Sequence, residues 1–571
     1  MASELEAIFG ARSAPSAMEA RRLGMVIGGS LSEGLVVKLD PRIAIEGLAV
    51  GRYVVIRGHR RRFFGMITDI RLDSANPDLA RMPPDPDDPL IREMVAGIGV
   101  FGQIHVQPML VLEENDPLPR PVKTVPPHFS PVYEATEEEV HAIFRPRVKG
   151  REERYFVIGE PLDMPGVRIP LNLDRFVERS SGVFGKSGTG KTFLTRLLLA
   201  GVIYHNASVA LVFDMHNEYG WSATGEEGHV KGLKQLPECF SRVVIATLDE
   251  DSSRRRNSRY DLVVRIGYDQ IEPEDVELLR GVIGLSEVQI GALYMLRRRL
   301  GRDWLRILLE EDREPAGEGE EETGGDPLAE LVERDLITSS TLGALQRKLG
   351  LFHRFRFLVP HSSEDAAQAI LSYLLQGHSV VLEFGRYGND MAAYVLVANY
   401  LTRRIHAEYV RRKEAALGDS SREPPHLVIV VEEAHKFLQP GIAEHTVFGT
   451  IARELRKYNV TLLIVDQRPS QIDSEVLSQI GTRVLCLLDH EEDVRAALAG
   501  ISGASRLREV LARLETKQQA LLLGHAVPMP VVVRTRSYDA SFYEELAKGE
   551  LGAEKDVVDR YLKAMRGEDE D

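Results

Sequence analysis

Residues 180–199, SSGVFGKSGTGKTFLTRLLL, constrain this chain more than any other stretch. Gly185, Gly190, Lys191 and Thr192 fit the pattern G-x-x-x-x-G-K-[ST]. Apolar Val183 and Phe184 lead in, and Phe193, Leu194, Leu197 and Leu198 follow at helical spacing. A strand, a glycine loop and a helix in that order turn backbone N–H groups inward around phosphates. The helix N-terminus adds partial positive charge at the same point. Lysine at 191 reaches the β/γ oxygens and the Thr192 hydroxyl is a Mg²⁺ ligand. Gly185, Lys186, Ser187, Gly188, Thr189, Gly190, Lys191, Thr192 and Phe193 therefore form the expected site for ATP, with Mg²⁺ as the accompanying metal.

A phosphate loop requires a parallel sheet behind it, and the sequence after residue 150 supplies one. Val209–Phe213, Val243–Ala246, Val380–Phe384, Leu427–Val431, Val460–Val465 and Val484–Leu488 are near-continuous apolar, β-branched runs separated by helical patterns. Such runs belong to strands buried on both faces. The fold class is α/β: a RecA-like P-loop NTPase core with an N-terminal small β-barrel and a helical insertion. The barrel is read over residues 1–115, where short β-type runs such as GRYVVIRG and RRFFGMITDIRL are separated by Gly, Asp and Pro. It carries no cluster of acids, His or Cys, so it is expected to dock a partner and not to catalyse. A Pro-rich linker is expected at 116–150. The first part of the ATPase core follows at 151–265, and a helical insertion at 266–375. The insertion contains an acidic, Gly-rich loop at 311–326 that lacks aromatics and reads as disordered. The second part of the core is read at 376–535, and a charged helical tail at 536–571.

Strand ends beside a P-loop are where chemistry is placed. HLVIVVEEAHKF (426–437) ends a buried strand on two adjacent carboxylates. Glu432 is assigned to the Mg²⁺ side through a water, and Glu433 to polarising the attacking water. Neighbours in a strand point to opposite faces, so both serve only where the backbone turns. Gln467, after the run TLLIVD, is placed to sense the γ-phosphate or orient water; the plainer alternative is a turn-capping amide. Asp214, at the end of ALVFD, is read as supporting the metal or the water. His216 beside it reads as a structural, hydrogen-bonded residue. Arg453 and Arg456 share a helix face at i and i+3, as a solvated basic face or as arginine fingers offered to a neighbouring subunit's nucleotide.

Composition narrows the class further. The 571 residues hold 43% hydrophobic and 27% charged residues, an ordinary globular balance. A net charge of −15 excludes a uniformly basic nucleic-acid coat but not a local basic channel. Cys239 and Cys486 read as separate buried thiols of a reducing compartment. No apolar stretch is long enough to span a membrane and no secretory signal is seen, so no membrane partner and a cytoplasmic location are expected.

Taken in order, GKSGTGKT, VFDMHNEYG, VVEEAHKF, IARELRKYNVTLLIVDQRPSQID and ALLLGHAVPMPVVVRTR resemble the HerA family of the HerA–FtsK superfamily. The resemblance covers nearly the whole chain, and the early β-rich region looks like that family's HAS-barrel. It implies a homohexameric ring that moves double-stranded DNA through its pore, with a NurA-type nuclease in DNA end resection and recombinational repair. The motor of an anti-phage complex with another nuclease or effector, and a protein-remodelling ring, are the alternatives. Glu432 stands where the family frequently has Asp. Arg453 matches the family's I-A-R-E segment slightly better than Arg456 does as the finger.

Overall fold

The computed structural model describes residues 21–74, 100–113, 116–145, 153–162, 164–225, 228–310, 326–419, 422–454, 457–501 and 504–549. The first unit is built from β1 (Arg22–Ser30), β2 (Gly34–Leu39), β3 (Tyr53–Arg57), β4 (Arg61–Ser74), β5 (Val100–Glu113), β6 (Asp116–Pro121) and β7 (Pro131–Glu134). The order β2-β1-β7-β3-β4-β5 closes on itself through a β2–β5 pairing, giving a six-stranded barrel with β6 added outside β5. Alternation explains how the barrel is seated. Val54, Ile56, Phe63, Ile67 and Val111 fill its interior. The intervening Tyr53, Val55, Phe64, Met66 and Leu112 join the main core, beside Phe144 and Phe156. The stretch expected to be a plain linker differs from that expectation. It supplies β6 and β7, and a helix, Glu137–Phe144, capped by Thr136. Prolines there sit at strand starts and on an outer strand, positions that need no ladder N–H.

The remaining strands are β8 (Tyr155–Pro161), β9 (Ile169–Asn172), β10 (Ser181–Phe184) and β11 (Val209–Asp214), then a small hairpin of β12 (Ala223–Gly225) and β13 (Gly228–Val230). After β14 (Val243–Thr247) and β15 (Leu262–Val263) comes a short parallel pair, β16 (Ile266–Gly267) with β17 (Leu358–Val359). The chain continues through β18 (Ser379–Glu383), β19 (Leu427–Glu432), β20 (Val460–Asp466), β21 (Thr482–Leu485), β22 (Gln519–Gly524) and β23 (Val531–Thr535). Twelve of these form one sheet, β15-β14-β18-β11-β19-β20-β10-β21-β22-β23-β8-β9. It is parallel from β15 to β21 and antiparallel from β21 to β9.

The insertion's helices, including Glu287–Leu300, Trp304–Leu309 and Ser339–Leu349, lie between β16 and β17, so that pair clamps their base. Trp304 is fully buried there and donates to the Ile271 carbonyl at 3.0 Å. Residues 311–325 of the acidic loop and 550–571 of the tail lie outside the described residues. Cys239 and Cys486 are both free and buried, as read. Among the described residues no helix is long and apolar enough to cross a membrane.

Candidate nucleotide site

Four adjacent parallel strands, β18, β11, β19 and β20, end on Glu383, Asp214, Glu432 and Asp466. The row of carboxylates runs along one edge of the sheet and stops beside β10, whose end opens into the glycine loop. Phe184 is level with Asp466, and Asp214 with Glu383.

In the loop, Gly188 and Gly190 take φ of 79° and 84°, a left-handed conformation that suits glycine. A Cβ on either would meet nothing within 4 Å, so both line an open concavity. Gly190 caps the helix Lys191–Tyr204, whose N-terminus faces that space. The Lys191 ammonium rests 2.8 Å from the Lys186 carbonyl, and the Thr189 hydroxyl donates to the same oxygen. Burial pulls Lys191 below the ordinary lysine value, while Cys486, Glu433, Asp466 and Glu432 pull it back up. Lys186 pairs with Asp489 at 3.0 Å, tying the loop to the segment after β21. Phe193 is 41% exposed, with the Arg196 guanidinium 5.4 Å from its ring.

The two adjacent glutamates are separated by a turn, as two uses of one strand end require. Glu433 sits at φ 48°, in the left-handed region a non-glycine side chain rarely adopts. Gln467 donates to its Oε1 at 3.3 Å. Glu432 is clamped by two tyrosines. Tyr219 donates to its Oε1 at 2.7 Å, while the Tyr394 hydroxyl donates to its carbonyl and accepts from its N–H. Burial pushes Glu432 up to about 8. The Tyr219 hydrogen bond opposes that, and Asp214, Glu218 and Glu433 add to it.

Asp214 has a different posture from the one its strand-end position implied. Its carboxylate accepts from the backbone N–H groups of Glu218, Tyr219 and Gly220 at 2.7, 2.8 and 3.3 Å. Both oxygens are thereby engaged in folding the loop that carries Tyr219. Burial, and then Glu383, raise it to about 7 against those three bonds. His216 stands exposed in the same loop. Arg453 ends a helix, Val447–Glu454, and forms an ion pair with Glu475 of the same chain at 3.3 Å. Arg456 lies outside the described residues.

Two further groups stand out that strand patterns did not mark as functional. Asp466 is fully buried and accepts from the His435 N–H at 2.8 Å, with the His435 ring Nδ1 3.0 Å from the same oxygen. Its other oxygen accepts from the Arg468 N–H at 2.8 Å. Burial raises its pKa, but these bonds win and hold it below the usual carboxylate value. The His435 Nδ1 is also 3.6 Å from Glu433. One carboxylate thus joins the loop after β19 to the loop after β20, fixing Glu433 relative to Gln467. The sequence signal for Asp466 was present, an acid between a buried run and Gln467.

The site thus combines a strand–loop–helix, an open glycine concavity, a half-buried lysine and a row of strand-end acids, and two stretches of the chain match family descriptions. Residues 156–405 match "Helicase HerA, central domain" and residues 23–113 match "HAS barrel domain". The chain belongs to the HerA helicase family. It is an enzyme of the ATPase class. The family resemblance drawn from the motifs, the α/β core and the N-terminal barrel are all upheld. The DNA double-strand break repair helicase HerA of Pyrococcus furiosus is 23% identical over 83% of both chains. That of Saccharolobus solfataricus is 22% identical over 96% of this chain and 97% of its own. The bacterial conjugative coupling protein TrwB aligns at 11% identity over 71% of this chain and 92% of its own, with a TM-score of 0.44, too loose to argue from.

Proposed function

We propose that this chain is an ATP-driven translocase on double-stranded DNA. It assembles as a homohexamer and serves as the motor for a NurA-type nuclease in end resection during double-strand break repair. Relatives bearing the name DNA double-strand break repair helicase align over nearly the whole chain, which supports the DNA reading. The observation that carries the motor reading is Glu433. It is held at φ 48° within reach of Gln467, on the strand edge beside the P-loop, a posture suited to repeated hydrolysis.

In this reading the loop amides from Gly185 to Thr192 bind the phosphates, and Lys191 exchanges the Lys186 carbonyl for phosphate oxygens. Phe193 borders the bound nucleotide. Glu433 accepts the proton of the attacking water, and Gln467 orients that water. The residues fit Mg²⁺: the Thr192 hydroxyl opens the helix at the loop, and Glu432 is a desolvated carboxylate that a cation would restore to its charged form. Bound there, the ion would neutralise charge on the β- and γ-phosphates. Asp214 acts through Tyr219, which it positions over Glu432. Arg453, released from Glu475, is the finger presented to the neighbouring subunit's nucleotide.

The test is ATP hydrolysis with and without duplex DNA. Stimulation by duplexes of unrelated sequence supports the translocase. A rate indifferent to DNA but raised by protein substrates would replace it with a remodelling ring.

A further inference from the structure

The chain is acidic, yet one end of its barrel is not. Residues 52–68 and 117–133 contain no Asp or Glu. At the chain average of 86 acids in 571 residues, those two stretches together would hold about five. They carry Arg52, Arg57, Arg60, Arg61, Arg62, Arg120 and Lys123 instead.

The fold brings the two stretches together. The first forms the β3–β4 hairpin, with Gly58–Arg60 at its tip, and the second runs from β6 into β7. Ile56 pairs with Val132, and a Cβ on Gly58 would lie 3.7 Å from Pro127. Phe63 and Arg120 are both level with Val111, one on each side of it. Acids outside the stretches neutralise part of this charge: Glu134 pairs with Arg52, Glu113 with Arg61, and Glu139 lies 3.9 Å from Arg62. Arg57, Arg60, Lys123 and His59 are exposed and lie outside those three pairs, and Arg120 is exposed as well. Arg57 is braced over the Tyr133 ring at 4.2 Å, so its guanidinium is held at the surface. Phe129, 68% exposed, stands beside them at φ 64° with its ring 5.9 Å from His128. An aromatic held in a costly backbone conformation and turned to solvent points to a contact.

We infer that this basic end of the barrel grips the phosphate backbone of double-stranded DNA outside the ATPase core, an inference that rests on the DNA reading above. Protein–protein interfaces are depleted of charge at their centres, whereas nucleic-acid interfaces are strongly positive throughout. Here exposed cations stand among a few exposed apolar groups, Leu118, Val125 and Phe129, and the cations are mostly guanidinium groups, which suit phosphate geometry.

The experiment compares the full chain with Arg57→Ala/Arg60→Ala/Lys123→Ala, following anisotropy of a labelled duplex of arbitrary sequence across a KCl series. Each phosphate contact contributes about 0.9 to the slope of log affinity against log salt, so the variant's slope should be shallower by up to about 2.7. All three side chains are exposed and away from the glycine loop, so melting temperature should fall only slightly, through the lost Arg57–Tyr133 contact, and ATP hydrolysis without DNA should stay at the wild-type value. Arg57→Lys/Arg60→Lys with Lys123 intact should restore the slope. Steep binding by the wild type with an unchanged slope in the triple variant would overturn the inference and leave the translocase reading standing. No duplex binding by the wild type would remove both. Unchanged DNA binding, with loss of binding to a polyglutamate probe, would also overturn it, making this end a site for acidic protein.

Discussion

Replacing Glu433 by alanine and by glycine separates its chemistry from its backbone. Both substitutions remove the carboxylate, the 3.3 Å hydrogen bond from Gln467 and the approach of His435. They differ only in a Cβ placed at φ 48°. At an ordinary position glycine is less stable than alanine by roughly 0.5–1 kcal/mol, because it loses more backbone entropy on folding. In the left-handed region a Cβ costs about 1–2 kcal/mol through its clash with the following carbonyl. The order should therefore invert here, with Glu433→Gly about 0.5–1 kcal/mol more stable than Glu433→Ala. Hydrolysis should fall by about 10²–10⁴ in both, the usual contribution of a positioned base. Melting curves collected side by side and a phosphate-release assay measure the two effects. Alanine matching or exceeding glycine in stability would refute the strained posture. Retained hydrolysis in either would refute the role of the side chain.

Lys191→Ala should abolish hydrolysis with little change in melting temperature, because among the described residues the ammonium's hydrogen bond is to one carbonyl and its half-burial offsets the pull of the nearby acids. Asp466→Asn should lower kcat more than it raises KM for ATP. It weakens the tie between the Glu433 and Gln467 loops while leaving the glycine loop intact, and steady-state kinetics show the split. Asp214 keeps its proton in the folded protein up to about pH 7, whereas the unfolded chain releases it near 4. The folded state thus binds the extra proton between those values, and stability contributed by this group declines as pH rises through the window. Melting of wild type and Asp214→Asn from acid to neutral pH should show a steeper decline in the wild type, the part left in the variant coming from Glu432, which burial also raises. Mixing inactive Glu433→Gln with inactive Arg453→Ala under subunit exchange should restore part of the ATPase, because some interfaces then pair an intact Glu433 with an intact arginine. No recovery despite demonstrated exchange would remove Arg453 as the finger.

The glycine loop was legible because its spacing alone dictates a local backbone, and Gly188 and Gly190 adopt the conformation it requires. The parallel strands were legible as apolar runs, with an instructive error. The runs ending at Phe213, Val431 and Val465 each stop one residue short of β11, β19 and β20. The omitted residues are Asp214, Glu432 and Asp466, because apolarity marks where a strand is buried and not where it ends. The antiparallel extension β22-β23-β8-β9 was not visible. It joins chain segments from either side of the core, and pairing between distant segments leaves no local signature. Nor was the posture of Asp214, which depends on three amides folding back onto it. The hydroxyl clamp on Glu432 escaped notice for the same reason: Tyr219 and Tyr394 are distant in sequence from the residue they hold.

The most direct test of the central claim is displacement of a triplex-forming strand from duplex DNA by the purified full-length protein. A motor that tracks along duplex strips the third strand, and a nucleotide-driven scaffold or protein remodeller does not. Wild-type protein should displace the third strand with ATP, regardless of duplex sequence, and Glu433→Gln should not. Intact ATP hydrolysis by a protein that binds the duplex and leaves the third strand in place would contradict that claim.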